Sequence, residues 1–126
     1  KLTNKVFLSM NNLHPFFMIG QPNTLKYLKD AGFKTFNNFW DESYDDEFNH
    51  VLRMSKIQNE LKSMISKSKD EIHRHFFGEK WDGDRNKIYN SEMFKILKHN
   101  YLFLPKHIEN ERKKVMDEID KFMSDR

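Results

Sequence analysis

HPFFMIGQPNTLKYLKDAGFKTFNNFWDESYD, residues 14–45, decides how the chain is read. It opens on a continuous apolar run, Phe16 to Ile19, bounded by Pro15 and Gly20. That length and those flanks suit a strand buried on both faces, the pattern of a parallel sheet, better than a helix. Gly20 to Asn23 is a turn, and Asn23 or Thr24 can cap the next helix by accepting from an orphan backbone N–H. Leu25, Tyr27, Leu28 and Ala31 give that helix its apolar face, and Gly32 stops it at the C′ position. Phe33 to Phe36 reads as a second short strand. An amphipathic helix from Leu2 to Met10 precedes all this, so helix, strand, helix and strand alternate as in a small parallel-sheet, Rossmann-like fragment. The expected fold class is α/β and helix-rich: an α/β fragment of a nucleotide-binding lobe over 1–44, with a helical region over 45–126 packing on it as one compact unit.

Beyond Tyr44 there is no Gly or Pro until Gly78. Phe48, Val51, Leu52, Leu61, Met64, Ile65, Ile72 and Phe76 recur mostly at three- and four-residue steps, which predicts one long helix or two with a break near Ser66 to Lys69. Asp45, Asp46 and Glu47 are expected at its N-terminus, where they complement the helix dipole. Trp81 to Asp84 is a turn, and Asn90 or Ser91 can cap a helix carrying Met93, Phe94, Ile96 and Leu97. Pro105 is expected to separate this from a last helix. There, Ile108, Arg112, Val115, Met116, Ile119, Phe122 and Met123 form a stripe, with Glu109–Lys113 and Asp117–Lys121 as i,i+4 pairs on the solvent side.

Composition narrows the function classes. The 126 residues are 37% apolar, with twelve Phe, four Tyr and two Trp, enough aromatic area for a core. Twenty-two basic and 19 acidic side chains leave a net charge of +3, too balanced to mark a nucleic-acid surface. The acidic block at 41–50, with five carboxylates and no Lys or Arg, is the one real asymmetry. There is no Cys, which rules out disulfides and thiolate metal sites and fits a reducing, cytoplasmic setting. No apolar run is long enough to span a bilayer, and no signal peptide is visible. Because Leu2, Val6, Phe7 and Met10 already show helical spacing directly behind Lys1, further sequence is expected upstream.

Few residue clusters suggest chemistry. His73 and His75 stand two apart, which on a helix sends them to different faces, so a surface pair is the simpler reading than a metal site. Asp82, Asp84 and Asn86 mimic the start of a calcium loop, but Lys87 and Met93 occupy the diagnostic sixth and twelfth positions, leaving a polar turn. The acidic aromatic loop Trp40, Asp41, Glu42, Tyr44 could pair carboxylates with an aromatic platform, as carbohydrate sites do. No metal and no cofactor is expected.

One resemblance goes further. Pro15-Phe16, Gly20 with Pro22, Leu25 with Leu28, Gly32 to Phe36, Asp41 to Asp45 and Arg53-Met54 resemble a segment near the C-terminal end of glycosyltransferase-like proteins of phages and marine bacteria. The likeness ends near Ser66. It implies the nucleotide-binding lobe of a two-lobed glycosyltransferase, in which a Ser/Thr-Glu-Lys helix start meets the ribose and phosphates of a sugar nucleotide. Lys1 takes the Lys position, with Thr3 and Asn4 beside it as implied substrate contacts, and a helix N-terminus with a Lys suits a diphosphate. The implied function is transfer of a sugar to a glycan or protein acceptor. The alternative is a non-catalytic module whose Phe- and Met-rich helices bind a protein partner or a second subunit.

Overall fold

The computed structural model describes residues 4–80 and 82–125. The elements are α1 (Asn4–Asn11), α2 (Thr24–Ala31), a 3-10 turn (Ser43–Asp46), α3 (His50–Ile65), α4 (Lys69–Phe77), α5 (Arg85–Tyr89) and α6 (Glu92–Ser124). Among the described residues there is no strand. The expected parallel-sheet, Rossmann-like fragment is therefore not formed, and the architecture is a set of helices joined by turns and irregular connections.

Local chemistry accounts for the helix boundaries. Asn49, Ser68, Asp84 and Ser91 each accept a backbone N–H of the first turn that follows, capping α3, α4, α5 and α6 in succession. Gly32 closes α2 at φ 113°, returning its N–H to the last carbonyls of that helix. The break between α3 and α4 falls where the apolar spacing lapses. Three expectations fail. Neither Asn23 nor Thr24 caps α2 with its side chain. The acids 45–47 do not lead α3, whose cap is Asn49. Pro105 does not divide the last helix, because α6 runs unbroken through it for 33 residues, about 50 Å. Proline removes the hydrogen bond to the carbonyl four residues earlier, that of Tyr101.

The segments read as strands form no regular element. Phe16 and Phe17 lie between the two halves of the core. One half gathers Val6, Met10, Leu25, Leu28, Tyr44, Ile57 and Leu104; the other gathers Phe36, Trp40, Met93, Ile96 and Leu97. Phe16 meets Phe36 edge-on at 5.0 Å, and Phe17 stacks on Tyr44 at 5.1 Å. The run is only partly buried, however: Phe16, Phe17 and Met18 are half-buried and Ile19 is exposed, so the expectation of burial on both faces fails along with the strand. In the second segment the Lys34 backbone is paired by a side chain: Asn100 of α6 accepts from the Lys34 N–H and donates to its carbonyl, both at 2.8 Å. The carboxamide does there what an adjacent strand would do.

The first turn of α3 also departs from its apolar pattern. Phe48, Val51 and Leu52 are exposed, and the residues that α3 buries are Arg53 and Ile57.

Candidate functional site

The site suggested by sequence, the loop Trp40 to Tyr44 with its carboxylates, is built from the turn that follows Phe36 and the start of the 3-10 turn. Its side chains diverge. Trp40 and Tyr44 are core residues, 8% and 1% exposed. Asp41 faces solvent and folds back on Ser43, accepting from its N–H at 2.9 Å and its hydroxyl at 3.0 Å. Glu42 turns inward and accepts from the Thr35 hydroxyl at 2.7 Å and the Phe36 N–H at 3.2 Å. Asp41, Glu42, Asp45 and Asp46 all line one open depression beside the loop, although Glu42 and Asp45 spend their carboxylates on hydrogen bonds within the chain.

Burial raises the Glu42 carboxyl above its ordinary value, and the Thr35 and Phe36 bonds pull it back only in part. A folded-state value above the unfolded one means the stabilising form is the neutral acid. That contribution is complete below the unfolded value and is lost as pH rises through the folded one. Glu42→Gln keeps an acceptor for Phe36 and removes the charge. Its urea midpoint relative to the wild type is expected to climb steadily between pH 4 and pH 7, and a pH-independent difference would refute this. Burial also pushes the Tyr44 hydroxyl far up, with Glu42 acting in the same sense. This hydroxyl and the Trp40 indole N–H are buried without a partner in hydrogen-bond geometry among the described residues; the Met18 backbone acts on the hydroxyl in the opposite sense without reversing the shift.

Asp45, a member of the acidic cluster weighed from sequence, and Arg53 of α3, which was not singled out as a site residue, are the ones that knit the loop to its surroundings. Asp45 sits at the N-terminus of α2. Its carboxylate accepts from the Leu25 and Lys26 N–H groups, each at 2.9 Å, and its carbonyl accepts from the Asn23 N–H at 2.6 Å. A helix N-terminus that could receive a phosphate is thus already filled by the chain's own anion. Arg53 is 4% exposed. Its two terminal nitrogens donate to the carbonyls of Tyr44 and Gly20, and its guanidinium lies 5.5 Å from the centre of the Tyr44 ring. One side chain of α3 therefore ties the Gly20 turn to the 3-10 turn.

Of the remaining candidates, the histidines and the Asp82 loop make contacts within the chain, and the implied substrate contacts are not seen. Lys1 and Thr3 lie outside the described residues, and Asn4 is described only as the first residue of α1. His73 engages the Glu79 carbonyl at 2.7 Å, while His75 engages the Phe39 carbonyl. Asp82 accepts from the Asp84 N–H, Asp84 caps α5, and Lys87 bridges Asp82 and Glu79. Those two carboxylates, Asp82 first, hold the Lys87 ammonium above its ordinary value. Trp81 lies outside the described residues. Among the described residues no cluster of His, Asp or Glu is arranged to hold a metal ion.

Two features of the surface are left. A depression of about 330 Å³ beside the loop is lined by Lys26, Lys29, Asn37, Asp41 and Asp46 among others, a mixture of both signs, and Lys26 is already paired with Asp30 at 2.8 Å. The other is the apolar stripe on the C-terminal half of α6. The residues α6 buries are Met93, Ile96, Leu97, Asn100, Leu104 and His107, and none follows His107. Ile108, Val115, Met116, Ile119, Phe122 and Met123 are all exposed. Among the described residues no helix is long and apolar enough to cross a membrane. Comparison with family models, curated proteins and solved structures found no match.

Proposed function

We propose that the chain is a non-catalytic, helical interaction module of a glycosyltransferase-like protein, with sugar transfer performed elsewhere in that protein. The observation that carries this reading is how the shared motif is spent. Glu42, Asp45 and Arg53, the polar residues best suited to substrate contact, are buried and committed to internal backbone and hydroxyl partners. Apolar surface is left exposed along α6, at Ile108, Val115, Met116, Ile119 and Met123, and at Phe48, Val51 and Leu52 around the start of α3. Exposed, contiguous apolar surface of this kind marks contact with another macromolecule.

The resemblance supplies a second reading, direct binding of a sugar nucleotide at Lys1, Thr3 and Asn4. Calorimetric titration of the chain with nucleoside diphosphates separates the two. The interaction module gives no saturable heat, corresponding to a dissociation constant no tighter than about 1 mM. Saturable micromolar binding that Lys1→Ala weakens at least tenfold would overturn it in favour of the second reading.

A further inference from the structure

We infer that Asp82–Gly83 is a site of spontaneous backbone modification, at which the aspartyl link converts to an isoaspartyl one, and that Lys87 sets the rate of the conversion.

Of the four glycines in the chain, only Gly83 follows an Asp and none follows an Asn. The pair lies in an exposed, irregular stretch between α4 and α5. Gly83 stands at φ 91°, and nothing comes within 4 Å of the point where a side chain would begin, so no packing resists a change in the local backbone. Among the described residues its N–H meets no acceptor. A backbone nitrogen with neither a side chain beside it nor a hydrogen bond to break is free to approach the neighbouring carboxyl.

The reaction needs only water. The Gly83 nitrogen attacks Cγ of Asp82 and gives up its proton, one carboxyl oxygen leaves as water, and a five-membered succinimide forms. Water then adds to one of the two ring carbonyls, and the C–N bond at that carbon breaks. Addition at Cγ restores aspartate. Addition at the original backbone carbon leaves the peptide link running through Cγ, with a free carboxyl on Cα. One water is lost and one regained, and nothing is oxidised or reduced. Ring closure proceeds from the neutral carboxyl, because an ionised one has no hydroxyl to expel.

Two donors oppose that closure. One carboxylate oxygen of Asp82 accepts from the Asp84 N–H at 2.9 Å, and the other accepts from the Lys87 ammonium, which also reaches Glu79 at 3.2 Å. Lys87, and after it the Asp84 N–H, hold the Asp82 carboxyl below its ordinary value and so keep it in the unreactive form. The hold is incomplete. The Asp82 and Lys87 side chains are 46% and 40% exposed, and exposed pairs of this kind are weak, so the carboxyl is released from time to time. Conversion then lengthens the main chain by one carbon just ahead of Asp84, the residue that caps α5.

The test is incubation of the full chain at about pH 6, where carboxylates are ionised but a neutral fraction persists. Isoaspartate is located by digestion and mass spectrometry and counted by methyl transfer with an isoaspartyl methyltransferase. Wild type is expected to accumulate it at residue 82. Lys87→Met keeps the stem and loses the ammonium, and is expected to react about threefold faster with an unchanged far-UV spectrum. Glu79→Gln leaves Lys87 to Asp82 alone and is expected to react no faster than wild type. Absence of isoaspartate at residue 82 from both wild type and Lys87→Met, over a period in which the urea-unfolded chain forms it, would overturn the inference. So would equal rates in wild type and Lys87→Met, or a faster rate in Glu79→Gln.

Discussion

Replacing Arg53 with Met is expected to destabilise the fold by about 3–4 kcal/mol, the largest effect of any single change considered, because a buried, charged donor serves two backbone carbonyls at once. Methionine keeps the aliphatic stem, so the loss is confined to the guanidinium. Removing it leaves the Gly20 and Tyr44 carbonyls without that donor and removes the cation from the Tyr44 face. A hydrogen bond to a charged group is worth about 1.5–3 kcal/mol, and a buried carbonyl left unpaired adds its own desolvation cost. Arg53→Lys is expected to recover less than half of the loss, since an ammonium is a point donor and lacks the planar fork that spans two acceptors. Urea denaturation of wild type, Arg53→Lys and Arg53→Met gives the ranking. At this chain length, 3 kcal/mol corresponds to a fall of about 10 °C in midpoint. Equal stability of the lysine variant and the wild type would show that the fork geometry contributes nothing.

Arg53 also shows where the sequence becomes hard to read. On α3 it shares a face with Ile57, four residues on, and these are the two residues that the helix buries. An apolar pattern search assigns that face to Phe48, Val51 and Leu52 instead, all of them exposed. Helix ends were legible at Gly32 and Ser91, because an αL glycine and a side-chain cap are local chemistry. The cap of α2 was not, because Asp45 reaches it from 20 residues away in the chain. The strand reading failed for a related reason. Phe16 to Ile19 and Phe33 to Phe36 have the composition and length of strands but form no regular element. A sheet, however, depends on what lies beside an extended segment, and periodicity along the segment carries no information about that. On α6 the stripe from Ile108 to Met123 was visible as a pattern, but the pattern alone did not show whether its cover lies inside the chain or outside it.

Asn100 supplies the sharpest test of the side chain that replaces a strand. It is 1% exposed, and its carboxamide meets the Lys34 N–H and carbonyl with opposite ends. Asn100→Ala leaves both backbone groups without that partner and is expected to cost about 2–3 kcal/mol. Asn100→Asp has nearly the same shape but a different donor count. Ionised, it still accepts from the Lys34 N–H but faces the Lys34 carbonyl with a second oxygen, an acceptor against an acceptor in a buried site. Protonated, it regains a donor and restores both bonds. Burial and the opposing carbonyl therefore raise the folded-state value of the new carboxyl above the unfolded one. By linkage its stabilising form is present below the unfolded value and is lost as pH rises through the folded value. The Asp variant is expected to match the wild type closely near pH 4 and to fall about 3 kcal/mol below it by pH 7, while the Ala variant stays low throughout. Thermal melts of the three proteins across that range decide the matter, and parallel curves for Asp and Ala would show that the carboxamide does not bridge Lys34.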